Sequence, residues 1–321
     1  MSSFHHIPVL LNEVLQGLDP APGRRLVDAT AGGGGHSEAL LERGATVLSL
    51  DQDADAMAVI ESRLQRFGER SVRVRSNFRQ FPQRLAELGW GPVDGILLDI
   101  GVSSWQIDAP ERGFSFQTDG PLDMRMDDRA ELTAADVVAG WSERDLMTAF
   151  FKYGEEPRAR RIARAIVERR RQQPLGTTAD LAALIEQAAP RRGRLHPATK
   201  VFQALRMVVN DELGALEEAL QATPNWLSPG GRLAVISFHS LEDRLVKRFM
   251  QQHAKAELDQ PEWPAPRPNP DFCFKLLTKR PITPGEEELA RNPRARSARL
   301  RVVERIASNR QHLKGGQETR S

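Results

Sequence analysis

Residues 24–37 read RRLVDATAGGGGHS, a short apolar run that ends in four consecutive glycines. The part at 24–31 is typical of a buried strand in a parallel sheet. A glycine-rich turn after such a strand lets a ligand approach the backbone, because no Cβ stands in the way. This stretch therefore predicts a strand, a ligand-binding turn and a helix in immediate succession.

Three further runs repeat the pattern within the first hundred or so residues. They are TVLSLDQD at 46–53, VRVRSNF at 72–78 and DGILLDIGV at 94–102. Apolar residues recur at helical spacing between the second and third strands, as Met57, Ile60 and Leu64 do. The alternation of strand and helix favours right-handed βαβ units, so we expect an α/β, Rossmann-like fold with a doubly wound sheet.

The alternation stops after residue 102. Residues 103–132 are rich in Gly, Pro and Asp, and helical stretches with capping-box patterns follow. These patterns are Thr133–Asp136, Ser142–Asp145 and Thr177–Asp180. We therefore expect a helical domain at 105–205, used in substrate recognition and inserted into an α/β domain made of 1–104 and 206–321.

The second part of the α/β domain contains the remaining strands. GGRLAVISF at 230–238 predicts a fifth strand, and FCFKLLTKR at 272–280 with SARLRVVERI at 297–306 predicts a closing strand pair. PEWPAPRPNP at 261–270 is typical of an extended linker or a surface loop. The tail from about residue 307 has no apolar face, so we expect it to be frayed.

The composition narrows the class of protein. Lys and Arg number 45 against 43 Asp and Glu, which excludes a histone-like polycation and an acidic disordered chain. The single cysteine, Cys273, excludes an internal disulfide framework and a cysteine-cluster zinc site. The first residues, MSSFHHIPVLLNE, do not have the pattern of a signal peptide, and no apolar run approaches the ~18 residues of a membrane helix. We expect a soluble, cytoplasmic protein without a bound metal.

Carboxylates around the glycine turn distinguish between classes of ligand. Asp51 is at the end of the second strand, 19 residues after Gly32, where an acid can accept both ribose hydroxyls of a nucleoside. Asp28 precedes the glycines, and no Lys or Arg occurs from 28 to 40. A dinucleotide would bring two phosphate charges against these carboxylates, whereas S-adenosylmethionine brings a sulfonium and an ammonium. The pattern favours S-adenosylmethionine over a nicotinamide or flavin dinucleotide, and a purely structural turn is the other alternative.

Further residues near this turn have two possible roles each. Asp28 is either part of the binding pocket or a helix N-cap. Asp99 ends the fourth strand and adds another carboxylate to the same edge. Phe78 is placed either to contact an adenine or to fill the core. Gln106 follows the fourth strand and is either a hydrogen-bonding partner of the cofactor or a solvated loop residue.

Seven motifs spread over nearly the whole chain point to a known family. They are HIPVLLNEVL at 6–15, DATAGGGGHS at 28–37, GILLDIGVSSWQID at 95–108, ERGFSFQTDGPLDMRMD at 111–127, HPATKVFQALRMVVNDEL at 196–213, GGRLAVISFHSLEDRLVK at 230–247 and NPRARSARLR at 292–301. In these motifs the chain resembles the bacterial RsmH (MraW) family, the small-subunit ribosomal RNA cytosine-N4 methyltransferases. It departs in having GGGGH where many relatives have G-x-GGH, and Trp105 where a smaller residue or proline is common.

The resemblance implies a class I S-adenosylmethionine-dependent methyltransferase with an inserted helical domain. It also implies methylation of the exocyclic N4 of a cytidine in the decoding region of 16S rRNA, within the small ribosomal subunit or a late assembly intermediate. A homodimer is compatible with the sequence. The cofactor contacts of the family fall here on Gly34, Gly35, His36, Asp51, Phe78, Asp99 and Gln106.

Two residues are candidates for catalysis of such a reaction. The N4 lone pair is delocalised into the cytosine ring, so the rate must come from positioning and from stabilising the charge that develops on N4. Asp99, followed by the turn GVSS, either accepts a hydrogen bond from N4 or orients the cofactor alone. His239, at the end of the fifth strand, is the second candidate. Its alternative role is to cap the next helix, where Ser240 and Asp243 form a capping-box pattern.

Two phenylalanines and an arginine are candidates for binding the target nucleotide. Phe114 and Phe116 would wall a pocket for an unstacked base or, alternatively, anchor their loop in the core. Arg125 would meet a phosphate or a base edge, or would pair with the neighbouring Asp123 or Asp127.

Two arginine-rich segments are candidates for contact with RNA phosphates. Residues 158–171 contain seven Arg and one Glu, and residues 291–305 contain six Arg and one Glu. Arg160 and Arg164 share a helix face, and Lys200 and Arg294 are further candidates. A solvated surface is the alternative. Aromatic residues are scarce near these segments, which favours recognition of folded RNA by shape.

Two other functions stay open from the sequence. One is a non-catalytic rRNA-binding assembly factor, for which replacing Asp51 with Ala would have no consequence. The other is an amino-methyltransferase that acts on another nucleic acid. DNA enzymes of that kind typically carry (D/N/S)PP(Y/F) where this chain has DIGV at 99–102, which disfavours DNA as the substrate.

Overall fold

The computed structural model describes residues 8–191, 193 and 196–307. The chain forms two compact units, the first made of the chain up to Gly101 and from Ala215 onward, and the second of Val102–Gly214. The helical domain predicted at 105–205 falls within the sequence range of the second unit. The tail predicted to fray from about residue 307 lies outside the described residues.

The described residues contain nine strands, all in the first unit. They are β1 (Arg25–Asp28), β2 (Thr46–Asp51), β3 (Ser71–Arg75), β4 (Val93–Asp99), β5 (Leu227–Ser237), β6 (Glu257–Leu258), β7 (Arg267–Pro268), β8 (Phe274–Leu276) and β9 (Arg299–Arg305). Seven of them form one sheet in the order β3-β2-β1-β4-β5-β9-β8. The first five strands run parallel, whereas β9 pairs antiparallel with both β5 and β8. The predicted α/β, Rossmann-like fold and the closing strand pair are confirmed.

The α-helices of the described chain are α1 (Leu11–Leu18), α2 (Gly35–Glu42), α3 (Ala54–Leu64), α4 (Phe81–Glu87), α5 (Ser104–Asp108), α6 (Ala134–Gly140), α7 (Glu143–Lys152), α8 (Ala159–Arg170), α9 (Thr178–Ala188), α10 (Ala198–Val209), α11 (Glu212–Trp226), α12 (Ser240–His253) and α13 (Glu286–Arg291). No helix in the described ranges is both long and apolar enough to cross a membrane.

The order of the strands places three acidic residues at one edge of the sheet. β1 lies between β2 and β4, so the chain runs outward in one direction through β2 and β3 and then in the other through β4 and β5. Open α/β sheets bind ligands at the carboxyl ends of the strands where the order reverses. Asp28, Asp51 and Asp99 are the last residues of β1, β2 and β4.

Both faces of this sheet are buried, which explains why its strands are apolar at nearly every position. Successive strand residues alternate between two apolar clusters. Val27 and Leu48 belong to one cluster, and Leu26 and Val47 belong to the other. Because both of its faces are packed, the sheet holds the ends of its strands in fixed positions.

The second unit is helical and has its own apolar core. Three of its helices begin where the capping-box patterns predicted. Thr133, Ser142 and Thr177 each accept a hydrogen bond from the backbone N–H three residues later. Such caps satisfy donors that the first turn of a helix otherwise leaves unpaired.

The proline-rich stretch at 261–270 is a surface hairpin. β7 lies within this stretch and pairs antiparallel with β6, which precedes it. The Asn269 side chain donates from Nδ2 to the carbonyls of Gln252 and Lys255, at 2.7 and 2.8 Å. The stretch is thus held against the end of α12, so the surface loop was the better of the two predictions.

Candidate functional site

The glycine turn between β1 and α2 needs its glycines for different reasons. Gly32 and Gly34 have φ angles of +52° and +76°, which favour glycine strongly. Gly34 is the N-cap of α2. Gly35 has ordinary φ, but a Cβ there would lie 2.4 Å from Cγ of Pro8. Its small size is therefore required by the packing of the N-terminal segment, which sequence reasoning did not anticipate.

Asp51 holds the turn from the end of β2. Its Oδ2 accepts the backbone N–H of Gly32 at 2.8 Å, and its Oδ1 accepts that of Asp53 at 2.9 Å. Burial raises the pKa of Asp51 to about 6, although both backbone N–H groups act in the opposite direction. The side chain is thus mainly ionised at neutral pH and is placed as an acceptor beside the glycines.

Asp28 lies beneath the turn and has no exposed surface. Its Oδ2 accepts the Ser37 hydroxyl at 2.7 Å, and that hydroxyl lies 2.7 Å from the hydroxyl of Ser49. Burial raises the pKa of Asp28, and His36 and Ser37 offset this effect in part. The alternative role as helix N-cap is wrong, because Gly34 occupies that position. In this conformation the Asp28 carboxylate is fully buried and engaged with Ser37.

His36 and Asp99 approach each other at the same edge. Nε2 of His36 and Oδ2 of Asp99 are 3.5 Å apart, and both side chains are largely buried. Burial lowers the pKa of His36, but Asp99, with Asp28 and Glu288, outweighs it and the pKa ends above its ordinary value. Within the described chain, the ring nitrogens of His36 and the Oδ1 of Asp99 make no hydrogen bond. Buried polar atoms are nearly always hydrogen-bonded, so this pair is suited to a polar ligand.

Arg63 is a residue at this site that sequence reasoning missed. No Lys or Arg lies between 28 and 40 in the sequence, but α3 brings Nη1 of Arg63 to 2.9 Å from the Gly33 carbonyl. The same guanidinium pairs with Glu38, its Nε lying 2.7 Å from Oε2. Arg63 lies between the buried Ile60 and Leu64 on α3, but nothing local in the sequence indicates that its side chain reaches the turn.

Phe78 follows β3 in a short 3-10 turn, Phe78–Gln80. It is half-buried and packs against the apolar cluster that contains Val27 and Leu48. This placement leaves part of the ring exposed after the end of the strand. Its contact with an adenine stays a prediction.

His239 is the N-cap of α12 and is engaged with Glu242. Its Nδ1 accepts the Glu242 backbone N–H at 3.4 Å, and its Nε2 lies 2.8 Å from Oε1 of that residue. Oε2 of Glu242 accepts the backbone N–H groups of Phe238 and His239, at 2.9 and 3.3 Å. The capping box predicted for Ser240 and Asp243 is wrong by one residue, because α12 begins at Ser240.

Asp243 has a different role from the predicted one. Its carboxylate accepts hydrogen bonds from Arg301, at 2.7 and 3.2 Å, and from Arg299, at 3.2 Å. These contacts attach α12 to β9. Two arginines of the basic segment 291–305 are therefore engaged in holding the fold together.

The two roles proposed for His239 are separable by substitution. Asn is a good N-cap, whereas Ala is a poor one. We expect His239→Asn to keep methylation within about threefold of wild type, and His239→Ala to lower the free energy of unfolding by about 0.5–2 kcal/mol. Urea unfolding and initial methylation rates check both results. A large loss of rate in a fully stable His239→Asn protein would instead assign the imidazole to catalysis.

Gln106 belongs to the second unit and is buried in α5. Its side-chain oxygen accepts the Ser103 backbone N–H at 3.0 Å, and its own N–H donates to the Ser103 hydroxyl at 3.2 Å. The alternative of a solvated loop glutamine is therefore wrong. A contact of Gln106 with the cofactor stays a prediction that the family resemblance carries.

Phe114, Phe116 and Arg125 are held by neighbours within the second unit. Both phenylalanines pack against its core, and the ring of Phe116 lies 5.0 Å from that of Phe202. Arg125 donates to Asp123 from Nε and Nη2, at 2.8 and 2.7 Å. Burial raises the pKa of Asp123, but Arg125 outweighs it, and the pKa lies below its ordinary value. The geometry favours the anchoring and ion-pair alternatives for these residues.

A cavity of the second unit offers aromatic surface that sequence reasoning did not single out. It has a volume of about 490 Å³, and its lining includes Trp141, Lys152, Tyr153 and Asp145. The Lys152 ammonium lies 5.0 Å from the centre of the Tyr153 ring. Such a combination of ring faces and charges suits a nucleotide.

The arginine side chains of α8 fall into two groups, those that make hydrogen bonds or ion pairs and those that make neither. Arg169 and Arg170 donate to backbone carbonyls, and Arg164 pairs with Glu168 at 2.8 Å. Three exposed arginines make no side-chain hydrogen bond or ion pair with other described residues, namely Arg160, Arg161 and Arg171. These three side chains are available for an external anion.

The two remaining basic candidates are on the surface. The Lys200 ammonium donates to the Glu155 carbonyl at 2.7 Å. Arg294 is exposed in the short turn Pro293–Ser297. Their contact with RNA stays a prediction.

Comparison with known proteins agrees with the motif resemblance. The sequence profile of the MraW methylase family matches residues 3–306. A ribosomal RNA small subunit methyltransferase H from Heliobacterium mobile is 50% identical over 310 residues, covering 94% of this chain and 99% of that protein. Proteins with the same name from Carboxydothermus hydrogenoformans and Thermomicrobium roseum are 49% and 50% identical, covering 95% and 94% of this chain and 99% and 94% of their own lengths.

Proposed function

The chain belongs to the MraW methylase family, and from that premise we propose that it methylates the exocyclic N4 of a cytidine in the decoding region of 16S rRNA. The methyl donor is S-adenosylmethionine. The observation that carries this proposal is the cluster of carboxylates that end β1, β2 and β4 beside the glycine turn. An edge of this charge attracts a sulfonium and an ammonium, and it repels a pyrophosphate.

The cofactor site is proposed around the turn and its neighbours. In this proposal Asp28 attracts the donor through its charge. The residues of the first unit that would contact the donor are Gly32, Gly34, Gly35, His36, Asp51, Phe78 and Asp99. Asp51 accepts the ribose hydroxyls in this proposal, because its carboxylate lies where the second strand ends. The unpartnered atoms of His36 and Asp99 fit a ligand with polar groups. When bound, the donor supplies a methyl group activated by the positive sulfur.

Asp99 is the proposed catalytic residue. Its Oδ2 faces His36, and its Oδ1 makes no hydrogen bond to the described protein. Oδ1 is therefore suited to accept an N–H of the target amine, which would aim the N4 lone pair at the methyl carbon. The carboxylate would also stabilise the positive charge that develops on N4. No strong base is required, because N4 becomes acidic once it is methylated and can release its proton to water.

The rRNA itself is proposed to meet the exposed arginines of α8. Arg160, Arg161 and Arg171 carry charge with no internal partner, as phosphate contacts require. The aromatic walls of the cavity lined by Trp141 and Tyr153 offer a stacking surface to an unpaired base. The substrate is the small ribosomal subunit or a late assembly intermediate, and the compartment is the cytoplasm. A homodimer stays a prediction.

A triple variant tests the role of α8. We expect Arg160→Gln, Arg161→Gln and Arg171→Gln together to weaken RNA binding about tenfold at roughly 100 mM salt. The slope of log affinity against log salt concentration should fall in magnitude by about 2–3, because binding without these three phosphate contacts releases fewer counterions. Filter binding over a salt series measures both values. The matched control Arg164→Gln with Glu168→Gln removes a pair without a change of net charge, so its affinity should stay within about twofold. An unchanged slope in the triple variant would show that α8 is a solvated face.

The function is tested on the rRNA directly. Mass spectrometry of 16S rRNA from a strain without this gene should show the decoding-region cytidine without its N4 methyl group. Purified protein with S-adenosylmethionine should restore the methyl group to small subunits from that strain, and Asp99→Asn should do so far more slowly. A cytidine that is still N4-methylated in the deletion strain would refute the assignment.

A further inference from the structure

Arg63 brings a positive charge to the glycine turn. Its Nη1 donates to the Gly33 carbonyl at 2.9 Å, and its Cδ lies 3.5 Å from the position of a Cβ on Gly34. Guanidinium groups bind phosphates strongly and often through two parallel hydrogen bonds. Without compensation, this side chain would favour a phosphorylated ligand at the turn.

Glu38 supplies that compensation. Its Oε2 lies 2.7 Å from Nε and 2.5 Å from Nη2 of Arg63, and its Oε1 lies 3.0 Å from Nη2 of Arg66. The Arg63 and Glu38 side chains are about one-third and one-fifth exposed. Glu38 is also in the first turn of α2, where backbone N–H groups and the helix dipole favour an anion. The chain therefore places its own carboxylate where a phosphate would otherwise be stabilised.

We propose that Glu38 is a specificity-determining residue. By neutralising Arg63, it keeps the glycine turn selective for a cationic adenosyl ligand and excludes phosphorylated adenine nucleotides. This inference rests on the proposed cofactor site, since it assigns a choice of ligand to the same turn. It also explains how a site with an arginine at its glycine loop remains unsuited to a pyrophosphate.

The variant Glu38→Gln tests the inference, because it keeps the shape of the side chain and removes its charge. Calorimetry should give an ADP affinity about 5–10 times higher than wild type and an S-adenosylmethionine affinity about 2–5 times lower, at roughly 50 mM salt. The change in the ratio of the two affinities should shrink at roughly 500 mM salt, because partly exposed charges are screened. Arg63→Gln leaves Glu38 paired with Arg66 alone, at 3.0 Å, and should shift the ratio in the opposite direction.

Glu42→Gln is the matched control. It makes the same change of charge one helical turn later, at a carboxylate that pairs with Arg66 at 2.9 Å. We expect its affinity ratio to stay within about twofold of wild type. A ratio in Glu38→Gln that stays within twofold, or an equal shift in Glu42→Gln, would overturn the inference. Failure of the cofactor site itself has a different signature, namely that Asp51→Asn leaves the affinity for S-adenosylmethionine unchanged.

Discussion

Asp99→Asn is expected to lower the single-turnover rate of RNA methylation by about 10²- to 10³-fold, the usual effect of removing one charge-stabilising group from a reacting centre. The substitution keeps the size of the side chain but removes the negative charge near the target amine. Oδ1 of Asp99 makes no hydrogen bond within the described protein, so the loss would fall on the ligand and not on the fold. Rapid-quench measurements at saturating S-adenosylmethionine report this rate directly.

A control on the same strand separates catalysis from folding. Asp94 lies five residues earlier in β4, and its Oδ2 accepts the Arg25 backbone N–H at 2.8 Å. Asp94→Asn should keep the rate within about twofold of wild type. If Asp99→Asn weakened only the binding of S-adenosylmethionine and left the rate at saturation unchanged, Asp99 would orient the cofactor and have no role toward the amine.

The raised pKa of Asp51 predicts that cofactor binding depends on pH. Its carboxylate must be ionised to accept both ribose hydroxyls fully, and burial raises its pKa to about 6. As the pH falls through that value, the protonated fraction grows and the affinity should decrease. At pH 5 about nine-tenths of the carboxylates are protonated, so we expect binding about tenfold weaker than at pH 7.5. Calorimetry over this range measures the change.

Asp51→Asn isolates the contribution of that carboxylate. The loss of two charge-assisted hydrogen bonds costs about 2–4 kcal/mol, so binding at pH 7.5 should weaken about 30- to 10³-fold. The pKa values of the neighbouring Asp28 and His36 are raised as well, by burial for Asp28 and by Asp99 for His36. The test is therefore the difference in affinity between wild type and Asp51→Asn, which should change near pH 6. Asp55→Asn, an exposed site four residues later, should bind as wild type does. A difference that is constant from pH 5 to 7.5 would exclude Asp51 as the ribose acceptor.

Much of the first unit could be predicted from the sequence because its signals are local. Apolar strands buried on two faces and a glycine turn after β1 are visible in short stretches, and they place Asp28, Asp51 and Asp99 at strand ends. The parallel sheet then brings these ends to one edge. The acidic character of the site therefore follows from strand order alone.

Contacts made across long sequence separations were not predictable in this way. Arg63 reaches the Gly33 carbonyl from another helix, and the close packing of Pro8 on Gly35 joins segments that only the fold brings together. The capping box of α12 was placed one residue late because Ser240 is also a good N-cap by type. His239 takes that position instead, since its imidazole accepts the Glu242 N–H.

Competition for binding tests the central claim most directly, namely that the carboxylates at the ends of β1, β2 and β4 select a positively charged methyl donor. Radiolabelled S-adenosylmethionine bound to the full chain would be titrated separately with sinefungin, which carries an amine in place of the sulfonium methyl, and with NAD. We predict that sinefungin displaces the label at micromolar concentration and that NAD leaves it bound at millimolar concentration. Displacement by micromolar NAD, with sinefungin ineffective, would contradict the account.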